Sequence, residues 1–176
     1  MKNSIALIGF MGVGKTVVGK ALAEKLNKKF VELDYLIEQQ ACKTIPEIFE
    51  QAGEITFREL EIEIIKEVAG GKNQVIACGG GVVLNRINID RLKENAILIL
   101  LTASPEVLLR RAGQDGEVRP LLNRPDRESA VKELLAYREP LYKKAADITI
   151  DTSLIDIEAA SDEAVKALKQ YESTHR

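Results

Sequence analysis

The sequence predicts an α/β protein of three layers, with a five-stranded parallel sheet between helices and a mobile lid. Three observations carry that prediction. Short apolar runs alternate with longer amphipathic stretches, the rhythm of strands joined by crossover helices. Two of the runs, "QVIAC" at 74–78 and "AILILL" at 96–101, are almost continuously apolar, as expected of strands buried on both faces. A glycine-rich loop ending in Lys-Thr joins the first run to the first amphipathic stretch.

The elements follow in order. Strand-like runs lie at 4–9 ("SIALIG"), 29–34 ("KFVELD"), 74–78, 96–101 and 147–151 ("DITID"). Helical patterns fill 15–26, 46–69, 104–112, 128–145 and 156–171. Crossovers between parallel strands should be right-handed. One stretch breaks the rhythm: "GQDGEVRPLLNRPDRE" at 113–128 carries two glycines, two prolines and three arginines around a short apolar insert. Long unpatterned loops are often lids, and a solvated connector is the alternative.

Bulk properties bound the function. The chain has 176 residues, 45% apolar and 30% charged, which fits one domain spanning 1–176. A net charge of −2 and a pI near 5.6 argue against a general nucleic-acid-binding surface. The longest apolar runs fall short of a membrane span, and "MKNSIALIGF" lacks a signal-peptide layout, so the expected location is the cytoplasm. Cys42 and Cys78 make neither a metal spacing nor a disulfide framework. The single histidine, His175, is next to last, so a general base is expected to be Asp or Glu.

"GFMGVGKT" at 9–16 matches G-x-x-x-x-G-K-[ST]. Its glycines let successive backbone N–H groups turn inward around an anion, and the helix that follows adds its positive dipole end. Gly12, Val13, Gly14 and Val17 are therefore expected around nucleotide phosphates. Lys15 is expected to reach the β and γ phosphates, and the Thr16 hydroxyl to ligate Mg²⁺.

The acceptor should bind beyond the carboxyl ends of the strands. "ELD" closes the second run there, and Glu32 and Asp34, two apart, should share one side of a strand. One could steer the metal through water; the other could take a proton from an attacking hydroxyl. "CGGG" closes the third run, where Gly79, Gly80 and Gly81 leave room for a ligand and offer N–H donors, or simply make a turn. Arg58 lies at the margin of a helical stripe, with Glu54 and Glu61 at ion-pair spacing. Arg138 sits at the centre of an apolar face with Leu134, Leu135, Leu141 and Tyr142, so it needs a partner. That partner is either a substrate anion or a core carboxylate.

Together these segments resemble bacterial shikimate kinases. The resemblance rests on "GFMGVGKT", "LDYLIE", "GEITFRELE", "VIACGGGVV", "VRPLLNRPDR" and "YREPLYKKAAD", in that order, and covers essentially the whole chain. It implies a P-loop fold like that of nucleoside monophosphate kinases, ATP and Mg²⁺ as cofactors, and transfer to the 3-hydroxyl of shikimate on the route to chorismate. It further implies that Asp34 holds the acceptor hydroxyls and serves as base. Arg58, Arg138 and the glycine edge at 79–81 would hold the carboxylate, with Glu61 orienting Arg58. Arg119 in the lid would close over the phosphates, and Arg111 or Arg110 would lie against adenine. The family usually has Asp where this chain has Glu32. A small-molecule acceptor, no nucleic acid, no membrane and a monomer complete the expectation. A gluconate kinase and a non-catalytic nucleotide-binding module are the rival readings.

Overall fold

A computed structural model describes residues 2–114 and 126–175 of the chain. Five strands form one parallel sheet: β1 (Ser4–Ile8), β2 (Lys29–Glu32), β3 (Gln74–Ala77), β4 (Ala96–Thr102) and β5 (Ile148–Asp151). Their spatial order is β2-β3-β1-β4-β5. β1 is central, pairing Ile5 with Val75 on one side and with Ile97 on the other. All of β1 and β3 and most of β4 are buried, which is why those runs lack alternation.

The helices are α1 (Lys15–Leu26), α2 (Leu33–Ala41), α3 (Ile45–Val68), α4 (Arg86–Asn95), α5 (Pro105–Gln114), α6 (Arg127–Ala145) and α7 (Ile157–Thr174), with a 3-10 turn at Val82–Leu84. The connection through α1 runs from β1 outward past β3 to β2, whereas those through α3, α4 and α5–α6 run the other way across the sheet. With right-handed crossovers this places α1 on one face and α3, α4 and α6 on the opposite one. α7 packs against α1, completing the first layer. α1 comes close to the sheet because Gly19 carries no side chain: a Cβ there would lie 2.8 Å from the Phe30 ring.

Several boundaries differ from the sequence expectation. The second strand stops at Glu32, and Asp34 lies in the first turn of α2. Leu33 and Ile37, four apart, are both fully buried, so helical spacing governs here rather than strand alternation. Glu32 and Asp34 therefore do not share one side of a strand. α4 was not expected because it is mostly polar, burying Ile89 and Leu92 beside a buried Asn88. The 46–69 helix is interrupted at Gly53 (φ 81°, ψ 173°). Its start is fixed by a capping box: Thr44 Oγ1 accepts from the Glu47 N–H, and the Glu47 carboxylate accepts from the Thr44 N–H at 2.7 Å. α7 continues to Thr174, with His175 stacked on Tyr171. Arg119 and most of the 113–128 stretch lie outside the described residues.

Candidate active site

The loop between β1 and α1 has the backbone that its spacing predicts. Gly9, Gly12 and Gly14 take φ of 143°, 78° and 101°, a region that residues with a Cβ avoid. Gly9 has a second constraint, because a Cβ there would sit 2.3 Å from the Leu101 carbonyl oxygen. Lys15 Nζ donates to the carbonyls of Gly9 (3.0 Å) and Phe10 (2.9 Å), so its ammonium spans the mouth of the loop. Gly14 caps α1 without a side chain, leaving the helix N-terminus open to an anion.

Thr16 follows on the first turn of α1. Its hydroxyl donates to Glu32 Oε1 at 3.2 Å. Burial pushes the Glu32 carboxyl above its ordinary pKa, and the Thr16 hydrogen bond pulls the other way. Asp34 stands two residues further along the chain, in the first turn of α2, with its carboxylate beside Gly79.

The three glycines after β3 leave room for neighbouring groups of the protein at the strand end. Each admits a different group of the protein itself. A Cβ at Gly79 would lie 2.9 Å from Asp34 Oδ1 and 3.1 Å from Glu61 Oε1. At Gly80 the nearest atom is the Met11 backbone nitrogen at 3.3 Å, with Arg138 Nη1 at 3.8 Å. At Gly81 both terminal nitrogens of Arg58 would lie 2.3 Å away. The run thus gathers an aspartate, a glutamate and two arginines around one strand end.

Arg58 is more than a surface ion pair. Its Nη1 donates to both Glu61 oxygens at 3.2 Å, and its Nη2 to Glu54 Oε1 at 3.1 Å. The Glu61 side chain is 1% exposed. Burial raises its pKa to about 7, with the adjacent Arg58 charge opposing that shift. Arg138, on α6, is 2% exposed. Among the described residues no carboxylate forms an ion pair with it, and its buried Nε has no hydrogen-bond partner. The core salt bridge left open by the sequence is therefore not found among those residues.

Phosphate loop, Glu32, Asp34, Arg58, Glu61, the glycines and Arg138 line one cavity of about 1150 Å³. Arg111 lines it too, donating to Thr152 Oγ1 (3.1 Å), the Thr152 carbonyl (2.7 Å) and the Val13 carbonyl (3.3 Å). Arg110 is exposed and does not line the cavity. Sequence reasoning missed Thr152, which follows β5, and Phe49 and Phe57, whose rings meet at 4.9 Å in the wall. Thr152 stands at the carboxyl end of a strand, so the rule that found the other three motifs would have found it.

A family model for shikimate kinase matches residues 11–169. The chain belongs to the shikimate kinase family. It is 48% identical to a shikimate kinase of Caldanaerobacter subterraneus subsp. tengcongensis, over 95% of this chain and 96% of that one. It is 47% identical to a shikimate kinase of Thermodesulfovibrio yellowstonii, over 98% and 96%. Among solved structures, a shikimate kinase from Acinetobacter baumannii in complex with shikimate superimposes with a TM-score of 0.92 at 35% identity, covering 97% of this chain and 94% of that one. The fold is accordingly the P-loop fold of nucleoside monophosphate kinases. ATP is the expected phosphoryl donor of a kinase of this family.

The donor set fits a magnesium ion of the kind such kinases use. Among the described residues no three His, Cys, Asp or Glu side chains form a metal cage. Mg²⁺ does not require one, since it is commonly held by one or two protein oxygens, substrate phosphates and water. The Thr16 hydroxyl beside the Glu32 carboxylate meets that requirement. The Glu32 side chain reaches the Thr16 hydroxyl directly. No described helix is long and apolar enough to cross a membrane.

Proposed function

We propose that the chain transfers the γ-phosphoryl group of Mg-ATP to the 3-hydroxyl of shikimate, giving shikimate 3-phosphate and ADP. The observation that carries this reading is Arg138: a buried guanidinium facing the phosphate-loop cavity without a carboxylate in ion-pair contact among the described residues. A buried cation in a substrate cleft calls for an anionic ligand, and the planar fork suits a carboxylate. Gluconate also carries a carboxylate, but the family match and the paired Arg58 and Arg138 favour shikimate.

In this reading the backbone of Gly12, Val13 and Gly14 cradles the phosphates, with Lys15 on the β and γ groups. Thr16 and Glu32 place the magnesium, which when bound offsets charge on the phosphate oxygens. Val17 and Arg111 flank the nucleotide; the Arg111 edges are held by Thr152 and Val13, leaving the flat face for the base. Arg58, Arg138 and the Gly79–Gly81 backbone fix the shikimate carboxylate, which holds its 3-hydroxyl in line. That oxygen forms a bond to the γ-phosphorus as the bond to the β,γ-bridging oxygen breaks. Asp34 accepts the hydroxyl proton, and ADP departs. Arg119, placed here from the sequence, meets the charge on the transferring group. The protein acts as one cytoplasmic domain and as a monomer.

An ADP-release assay comparing shikimate, quinate, gluconate and nucleoside monophosphates tests the reading. Shikimate should be the preferred acceptor, and turnover on gluconate alone would overturn it. Asp34→Asn preserves shape and removes the basic carboxylate, so turnover should fall by about 10²-fold or more with ATP affinity retained.

A further inference from the structure

The Gly79–Gly81 run poses a mechanical problem. Three glycines in sequence make the most compliant backbone a chain can have. Donors that recognise an anion work only when held in place beforehand. The structure supplies holders for each carbonyl of the run. The Gly79 carbonyl accepts from the Val82 N–H (3.1 Å) and the Gly81 carbonyl from the Leu84 N–H (3.0 Å). The Gly80 carbonyl accepts from the hydroxyl of Tyr142, more than sixty residues away on α6.

Tyr142 is 2% exposed and lies one helical turn beyond Arg138, so the two share a face of α6. Arg138 Nη1 in turn lies near Gly80 Cα, 3.8 Å from where a Cβ would project. A buried Phe would fill the same space without the cost of desolvating a hydroxyl, so packing does not explain the oxygen. Burial raises the phenol pKa to about 12, which keeps it a hydrogen-bond donor at neutral pH. In a trans peptide the carbonyl and the following N–H point in opposite directions. Holding the Gly80 carbonyl therefore sets the direction of the Gly81 N–H.

We propose that Tyr142 is a positioning residue for the acceptor's carboxylate: its hydroxyl locks the Gly80–Gly81 peptide against the helix that carries Arg138, fixing the spacing of two anion-binding groups. This inference rests on the crevice reading under Proposed function and extends it to a residue that does not touch the substrate.

Tyr142→Phe removes only the oxygen. Wild-type turnover on shikimate is measured first; its absence overturns the functional reading and this inference together. With wild-type turnover present, Tyr142→Phe should raise the shikimate KM about tenfold, the worth of one well-placed hydrogen bond. Turnover number and ATP KM should stay within about threefold, the split expected when ground-state and transition-state binding fall together. The neutral carboxamide of shikimate, titrated as a ligand, separates positioning from general loosening. Its affinity should be unchanged in Tyr142→Phe, because it lacks the charge that the cradle recognises. A double-mutant cycle with Arg138→Lys should be non-additive, since both changes act on one constellation. An unchanged shikimate KM, an equal loss for acid and amide, additivity in the cycle, or a collapse in melting temperature would each overturn the assignment and leave Tyr142 a packing residue.

Discussion

In the phosphate loop, Gly9, Gly12 and Gly14 all have positive φ, whereas none of Gly79, Gly80 and Gly81 does. Gly81 has φ −97° and ψ 3°, which other residues adopt. The two glycine-rich strand ends line the same cavity and look alike in the sequence, yet they use glycine for different reasons. The first needs a backbone shape, so that its N–H groups can converge on phosphate. The second needs room, so that Arg58, Asp34 and Glu61 can press against a bare Cα. A conformational requirement is met by the backbone and is felt in folding. A spatial requirement is met by neighbouring side chains that can move, and is felt in function.

The largest expected effect tests the first half of that contrast. Gly9→Ala would combine a φ of 143° with a Cβ 2.3 Å from the Leu101 carbonyl, part of the sheet backbone. Strain and overpacking of this kind sum to about 3 kcal/mol or more. The melting temperature should fall by about 10 °C for a domain of this size. A variant that melts like the wild type would show that β4 yields to the loop and that the backbone requirement is weak.

Gly81→Ala tests the second half. Its Cβ would collide with the two Arg58 terminal nitrogens, which are the far end of a flexible side chain. The guanidinium can swing aside, so the melting temperature should change by no more than about 3 °C, the effect of a loss under about 1 kcal/mol. Shikimate affinity should drop about 30-fold or more, as when one partner of a charge pair is withdrawn, while ATP affinity holds. Loss of stability without loss of shikimate affinity would erase the distinction between the two loops.

This contrast also explains which parts of the site were legible in the sequence. A backbone requirement writes glycines at fixed spacing, so Gly9, Gly14, Lys15 and Thr16 are recognisable from eight residues. Arg138 was legible because a charge in the middle of an apolar stripe contradicts its surroundings. Gly79–Gly81 were legible as a feature, but the protein groups they admit were not, because those come from α2, α3 and α6. Arg58 was muted by two local glutamates that gave it an ordinary surface explanation. Tyr142 was hidden because its sequence context is an apolar helix face, and its hydroxyl acts across the fold on the Gly80 carbonyl. The alternation of strands and helices was plain, but the first two residues of α2, Leu33 and Asp34, were read as the end of the second strand, and the rest of α2 was given no element. The order β2-β3-β1-β4-β5 leaves no local trace at all.

The last expected effect concerns the carboxylate beside Gly79. Glu61 is buried, and burial outweighs the Arg58 charge, holding its pKa at about 7 rather than the ordinary 4.5. The folded protein therefore keeps a proton on Glu61 over a range where the unfolded chain has released it. Stability from this group is fully present below about pH 4.5 and is lost as the pH rises through about 7, above which it stays flat. Glu61→Gln carries no titrating proton, so its melting temperature should follow pH less steeply downward between those two values than the wild type. The difference between the two curves isolates Glu61 from every other carboxylate, because those are common to both proteins. The amide also weakens the hold on Arg58, so shikimate KM should rise in the variant even where the two melting temperatures coincide. A difference curve that is flat across this interval would mean that Arg58 fully offsets burial, and that the space left by Gly79 serves an ion pair that is charged throughout it.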